Sequence, residues 1–179
     1  MFKKILFTCI AFASCLTQAD LSKTLVFSLD TIYLDRDYTD NNVTSQSKIT
    51  DTDLRLIRVD KKFGIGGIYS ISSNDSSDSN RTSLGLSAGY YSEKDFYLNA
   101  HYFFSSKYKF NGNSEYTKGT GYEIDLGFLS KVTSSFYVGL MVAHKSFSYS
   151  EVSVSGVTSS TSASHRELIP MFTFAVVFM

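Results

Sequence analysis

The sequence predicts an all-β fold, an eight-stranded antiparallel up-and-down transmembrane β-barrel, on three observations. Apolar and polar residues alternate with period two in eight runs of about ten residues each. The connections between these runs are alternately short and long. Beyond Ala19 no stretch approaches the ~18 consecutive apolar residues that a transmembrane helix needs, so crossing a membrane would fall to the strands.

Composition narrows the class first. The chain has 179 residues, with one Pro, no Trp, 15 Phe and 12 Tyr. That length suits one domain with a short appendage. An apolar share of 43% excludes disorder. Basic and acidic residues balance at 17 each, which leaves no electrostatic footprint for nucleic acid.

Residues 1–19 have the layout of a cleaved secretory signal peptide: Lys3 and Lys4, the apolar run Ile5 to Ala13, then Thr17-Gln18-Ala19 before Asp20. The apolar run is too short to span a bilayer, which disfavours the alternative of an anchor helix. Residues 20–179 then form the barrel domain, slightly acidic once Lys3 and Lys4 are removed. Both cysteines, Cys9 and Cys15, lie in the leader, so the mature chain carries no disulfide. Phe12-Ala13-Ser14-Cys15 resembles a degraded lipobox, whose processing would instead leave Cys15 lipidated.

The strands follow in order, each with a bulky face and a small or polar one. The first sets Leu25, Phe27, Leu29, Thr31 and Tyr33 against Val26, Ser28 and Asp30. The second is the weakest, with Leu54 and Leu56 against Asp53 and Arg55, and it puts Arg58 on the bulky face. The third sets Phe63, Ile65, Gly67, Tyr69 and Ile71 against Gly64, Gly66 and Ser70. The fourth sets Leu84, Leu86, Ala88 and Tyr90 against Ser83, Gly85, Ser87 and Gly89. The fifth carries Phe96, Leu98, Ala100, Tyr102 and Phe104 opposite Tyr97, Asn99 and His101. The sixth carries Tyr122, Ile124, Leu126 and Phe128 opposite Glu123, Asp125 and Gly127. The seventh has Phe136, Val138, Leu140 and Val142 against Tyr137, Gly139, Ala143 and Lys145. The eighth runs Leu168, Pro170, Phe172, Phe174, Val176 and Phe178 against Thr173 and Ala175.

Residues 60–62, 92–95 and 131–135 read as tight turns, and 35–51, 72–81, 107–121 and 148–165 as long polar loops. Short turns at one end and long loops at the other are what an outer-membrane barrel has. A soluble barrel or sandwich would turn its bulky face inward. Here that face is bulky on all eight strands, the other is rich in Gly and Ser, and aromatics gather near strand ends as interfacial girdles do.

On these residues the chain resembles the small bacterial outer-membrane barrels of the OmpA transmembrane-domain, OmpX and OmpW type. The most specific piece is the C-terminus, where Phe172, Phe174, Val176 and Phe178 alternate as in the strand signal read by barrel-insertion machinery. Met179 after Phe178 departs from that pattern. The resemblance implies a cell outer-membrane location, with membrane lipid and lipopolysaccharide around a monomer, and periplasmic chaperones and the insertion machinery as partners in biogenesis.

The charged residues expected inside are the candidate site: Asp30 with Arg55, Glu123 with Lys145, and His101 with Asp125. Buried charges persist when paired, so these pairs read either as a plug or as the latch of a conduit. The narrowness of eight strands favours the plug. His144 and Ser146, expected on the outer face near the loop end, faintly resemble lipid A deacylases, but Phe147 stands where an Asn is expected and no acid is suitably placed. His165 reads as a solvated loop residue, Lys61 and Lys62 as a solvated turn, and Gly64-x-Gly66-Gly67 as part of a strand. No Cys/His/Asp cluster shows metal-ligand spacing along the chain, and no cofactor is expected. The polar stretches 72–80 and 157–164 read as loop tips, the latter on a protruding hairpin. The expected role is non-enzymatic: a structural or surface-interaction protein acting through its loops. A narrow pore or conduit for small or hydrophobic molecules is second, and a lipid A hydrolase a remote third.

Overall fold

A strand whose two faces differ in polarity must pair on both edges, and a ring of such strands leaves no edge open. The computed structural model describes residues 24–40, 43–92, 95–110 and 113–178; the expected leader 1–19, Met179 and the side chains of 35–47 lie outside the described residues. Eight strands follow in chain order: β1 (Thr24–Asp40), β2 (Val43–Asp60), β3 (Phe63–Asn74), β4 (Ser79–Tyr91), β5 (Phe96–Phe110), β6 (Ser114–Lys131), β7 (Phe136–Val154) and β8 (Val157–Phe178). Each pairs antiparallel with its chain neighbour, and β1 pairs with β8 to close the barrel. No helix among the described residues is long and apolar enough to cross a membrane.

The strands are longer than the alternation alone suggests, from 12 residues in β3 to 22 in β8. Most of the residues expected in long loops therefore continue the ladder as tall hairpins, and that expectation is corrected. The reason is physical. Alternation marks a strand only where its two faces meet different surroundings, whereas backbone pairing continues where both faces meet water. The tip of the β7–β8 hairpin is likewise not 157–164 but Ser155-Gly156, whose φ values of 50° and 85° make the tight turn that a twisted hairpin favours. Residues 157–164 lie within β8.

The expected faces hold. Leu25, Phe27, Leu56, Ile65, Leu86, Leu98, Ile124, Leu126, Phe172 and Phe174 are exposed on the outside. Exposed rings flank this belt, with Phe63, Tyr90 and Phe96 toward the short turns and Tyr33, Tyr69, Tyr102 and Tyr122 toward the tall hairpins. Phe63 and Tyr90 meet edge to face across strands, 5.6 Å between centroids. Arg58 is on the outward face, in register between Leu25 and Ile65. The seam between β1 and β8 is short, from Leu25 opposite Phe178 to Thr31 opposite Phe172. Pro170 lies beyond it, where β8 has no β1 residue alongside and a missing N–H is tolerated.

Inside, β6 offers Gly119, Gly121 and Gly127, and each has an aromatic as cross-strand partner: Tyr149, Phe147 and Tyr97 respectively. The rings fold over the glycines, and a Cβ at Gly121 would fall 2.4 Å from Phe147 Cδ1. The adjacent Gly66 and Gly67 differ more sharply. A Cβ at Gly66 would sit 2.0 Å from the Leu56 carbonyl oxygen, whereas at Gly67 the nearest atom is 3.7 Å away. Gly66→Ala is expected to cost about 1–3 kcal/mol, because strand backbone must move. Gly67→Ala should stay within about 0.5 kcal/mol. Urea midpoints of the folded gel band compare the two.

Candidate functional site

The inward positions of the barrel form three layers. Next to the short turns is an apolar plug of Val26, Ile57, Val59, Tyr91, Tyr97, Leu129, Tyr137 and Val177, all buried. Toward the hairpins a second cluster contains Ile68, Phe103, Phe147 and Tyr149, with the Phe103 and Phe147 rings 5.2 Å apart. Charged side chains fill the space between. They fall in two groups.

The first group is built on Arg55 of β2. Its Nε lies 2.6 Å from Asp30 Oδ2 on β1, with Ser28 Oγ at 3.0 Å, and its Nη1 donates to Asp125 Oδ2 on β6 at 2.9 Å. The guanidinium also lies over the Tyr97 ring, 5.5 Å from its centroid. Asp125 Oδ2 is 2.8 Å from His101 Nε2 on β5, and His101 Nδ1 is 2.7 Å from Ser87 Oγ on β4. Neighbouring β-strand residues and one cross-lumen arginine thus tie five strands together.

The second group is built on Lys145 of β7. Its ammonium donates to Asp51 Oδ1 at 2.6 Å and to Asp53 Oδ2 at 2.8 Å, both on β2 across the lumen. Glu123 Oε2, on the adjacent β6, is farther at 3.5 Å. The expected pairing of Lys145 with Glu123 is therefore secondary to a cross-barrel one. Arg81 of β4 joins Asp51 at 3.5 Å, donates to Glu167 of β8 and stacks on Phe147 at 4.2 Å. All of these side chains except Glu167 are buried.

Sequence reasoning singled out Asp30, Arg55, His101, Glu123, Asp125 and Lys145, and all six are buried in this layer. It missed Asp51, Arg81 and Glu167 as members. Asp51 and Arg81 fall at the ends of segments that read as loops, so their inward parity carried no weight. Counting parity outward from Asp53 and Ser83 would have placed both inside. His165 is corrected from a loop to β8, where its ring stacks on Tyr108 at 6.2 Å and its Nε2 lies 3.3 Å from Glu167 Oε2. Ser146 is only 7% exposed despite its outward parity, the His144 ring lies 6.0 Å from that of Tyr122, and no hydrogen bond joins His144 to Ser146 among the described residues. Phe172, Phe174, Val176 and Phe178 all lie on the outward face of β8, along the seam with β1.

Chemically, the layer is a network of interlocked charges in which acids outnumber bases, packed against two apolar clusters. It ties opposite walls of the barrel together. Comparison with known proteins adds little: no family model matches the chain, and no curated protein matches it. Among solved structures it is similar to OmpT, an outer membrane protein of Vibrio cholerae, at 11% identity and a TM-score of 0.32, over 90% of this chain. The chain spans 53% of that protein's length.

Proposed function

We propose that this protein is an outer-membrane β-barrel of the small eight-stranded type, sealed inside, that acts as a structural or surface-interaction protein through its tall hairpins. The observation that carries this reading is the combination of an exposed apolar belt, flanked by aromatic rings, with an interior that buries interlocked charged and polar side chains among aliphatic and aromatic clusters. Water would penalise that belt, whereas hydrocarbon accepts it and demands a closed ladder. Membrane lipid and lipopolysaccharide surround the belt in this reading. The chain is exported with residues 1–19 removed, kept soluble by periplasmic chaperones and inserted as a monomer by the barrel-insertion machinery, to which the outward residues of β8 offer the terminal signal. The number of strands, the short turns at one end and the tall hairpins at the other support kinship with the OmpA transmembrane-domain, OmpX and OmpW type. Nucleic acid has no part in this reading.

No catalysis is assigned: Ser146 is covered, and His144 lies against Tyr122 instead of presenting a base to it. The conduit reading draws on the column of buried charges from Arg55 to Arg81. Single-channel recording in a planar bilayer separates the two readings, with a heat-shifted gel band verifying the fold. A sealed barrel gives no reproducible steps. Steps in the unmodified protein, altered by Lys145→Ala, would put the conduit first. On intact cells, protease is expected to cut an engineered site at Ser155-Gly156, whereas protection of that tip would overturn the surface role.

A further inference from the structure

The geometry points to a divalent metal site within the lumen, formed by His101 Nε2 and the carboxylates of Glu123 and Asp125, with Zn2+ the ion that this donor set suits. Glu123 and Asp125 stand two residues apart on the inward face of β6, and His101 of β5 is the cross-strand partner of Glu123. One ligand atom from each of the three lies within 4.8 Å of the others, and all three residues are buried. Zn–N and Zn–O bonds of about 2.0–2.2 Å place tetrahedral donors roughly 3.4 Å apart, inside the 4.8 Å that bounds the three ligand atoms here, so the side chains must draw together around the ion. One imidazole with two carboxylates is a set that Zn2+ accepts, leaving a fourth position open.

Two independent observations favour a cation. Glu123 is fully buried, yet no basic, hydroxyl or amide group donates to either of its carboxylate oxygens or to Asp125 Oδ1, and the side-chain partner of Glu123 is the second acid, Asp125. Native structures seldom leave buried carboxylate oxygens in that condition. The charges of the layer are also uneven. Arg55 lies closest to Asp30, Lys145 to Asp51 and Asp53, and Arg81 is engaged by Glu167. After those pairings Glu123 keeps only a 3.5 Å approach to Lys145, and Asp125 shares Arg55 with Asp30 and meets His101 Nε2 at 2.8 Å, both through Oδ2. A divalent ion supplies the missing positive charge where these two acids converge.

The surroundings are arranged for it. Ser87 Oγ lies 2.7 Å from His101 Nδ1, so Nδ1–H can donate there when a metal ion replaces the proton now shared between His101 Nε2 and Asp125 Oδ2 at 2.8 Å. Arg55 holds Asp125 by Oδ2 and leaves Oδ1 for the ion. Tyr97 and Tyr137 on one side and Phe147 and Phe103 on the other are buried within the barrel, so metal is best offered as the barrel folds.

The test is to refold the purified protein from urea into detergent micelles with Zn2+ present, wash with chelator and measure metal by atomic emission. The unmodified protein and His165→Ala, which removes an exposed imidazole, are expected to retain one Zn2+ per chain. Glu123→Gln and His101→Ala should retain at least tenfold less, with the heat-shifted band reporting folding separately. Co2+ in place of Zn2+ should give visible d–d absorption in the unmodified protein, which keeps the test decisive if a variant fails to fold. Folded protein without metal and without a Co2+ spectrum overturns the site. So does retention that Glu123→Gln leaves unchanged or that His165→Ala abolishes, since either marks surface binding.

Discussion

Lys145→Ala is expected to lower the stability of the folded barrel by about 3–5 kcal/mol, read as a fall in the urea midpoint of the heat-modifiable band. The ammonium is fully buried and is the shared partner of Asp51, Asp53 and Glu123. Removing it leaves carboxylates desolvated and facing one another, and the penalty is that of buried unpaired charge. The comparison that identifies the cause is the triple replacement Lys145→Met with Asp51→Asn and Asp53→Asn. Neutralising the two nearest partners together should recover part of the loss, Glu123 being left as it was, because a buried ion pair contributes little beyond what an uncharged filling of similar volume provides. A triple variant no better than Lys145→Ala would show that packing, not charge, was lost.

Leu126→Arg is expected to cost about 2–4 kcal/mol in a lipid bilayer, while Val157→Arg stays within about 0.5 kcal/mol. Both side chains are exposed, at 62% and 72%. They differ in height. Leu126 lies within the apolar belt of β6 between Ile124 and Phe128, whereas Val157 begins β8 beside the Ser155-Gly156 turn. In water the two replacements would be alike, so equal effects would remove the belt from the membrane and sink the outer-membrane reading. A depth-dependent cost is what hydrocarbon around the belt imposes.

Much of this architecture was legible in the chain. Strand two, the faintest of the eight with only Leu54 and Leu56 on its bulky face, is an 18-residue strand with Arg55 inward and Arg58 outward. The parity of single residues placed all six expected lumen charges inside. The limits of legibility have one cause at the hairpins and another in the lumen. At the hairpins, stretches such as Val157 to Ser164 are polar on both faces, so period two vanishes although pairing with β7 continues. In the lumen, parity tells which way a side chain points but not which opposite wall it meets. Lys145 reaches acids 92 and 94 positions away, and only the closure and tilt of the ring bring them to one height.

Sequence by itself thus determined the strands, their number and the polarity of each face, because alternation is a local property written residue by residue. The tertiary structure decided which charges meet, which rings cover which glycines and how far the hairpins rise. Those follow from register and closure, and these depend on all eight strands at once.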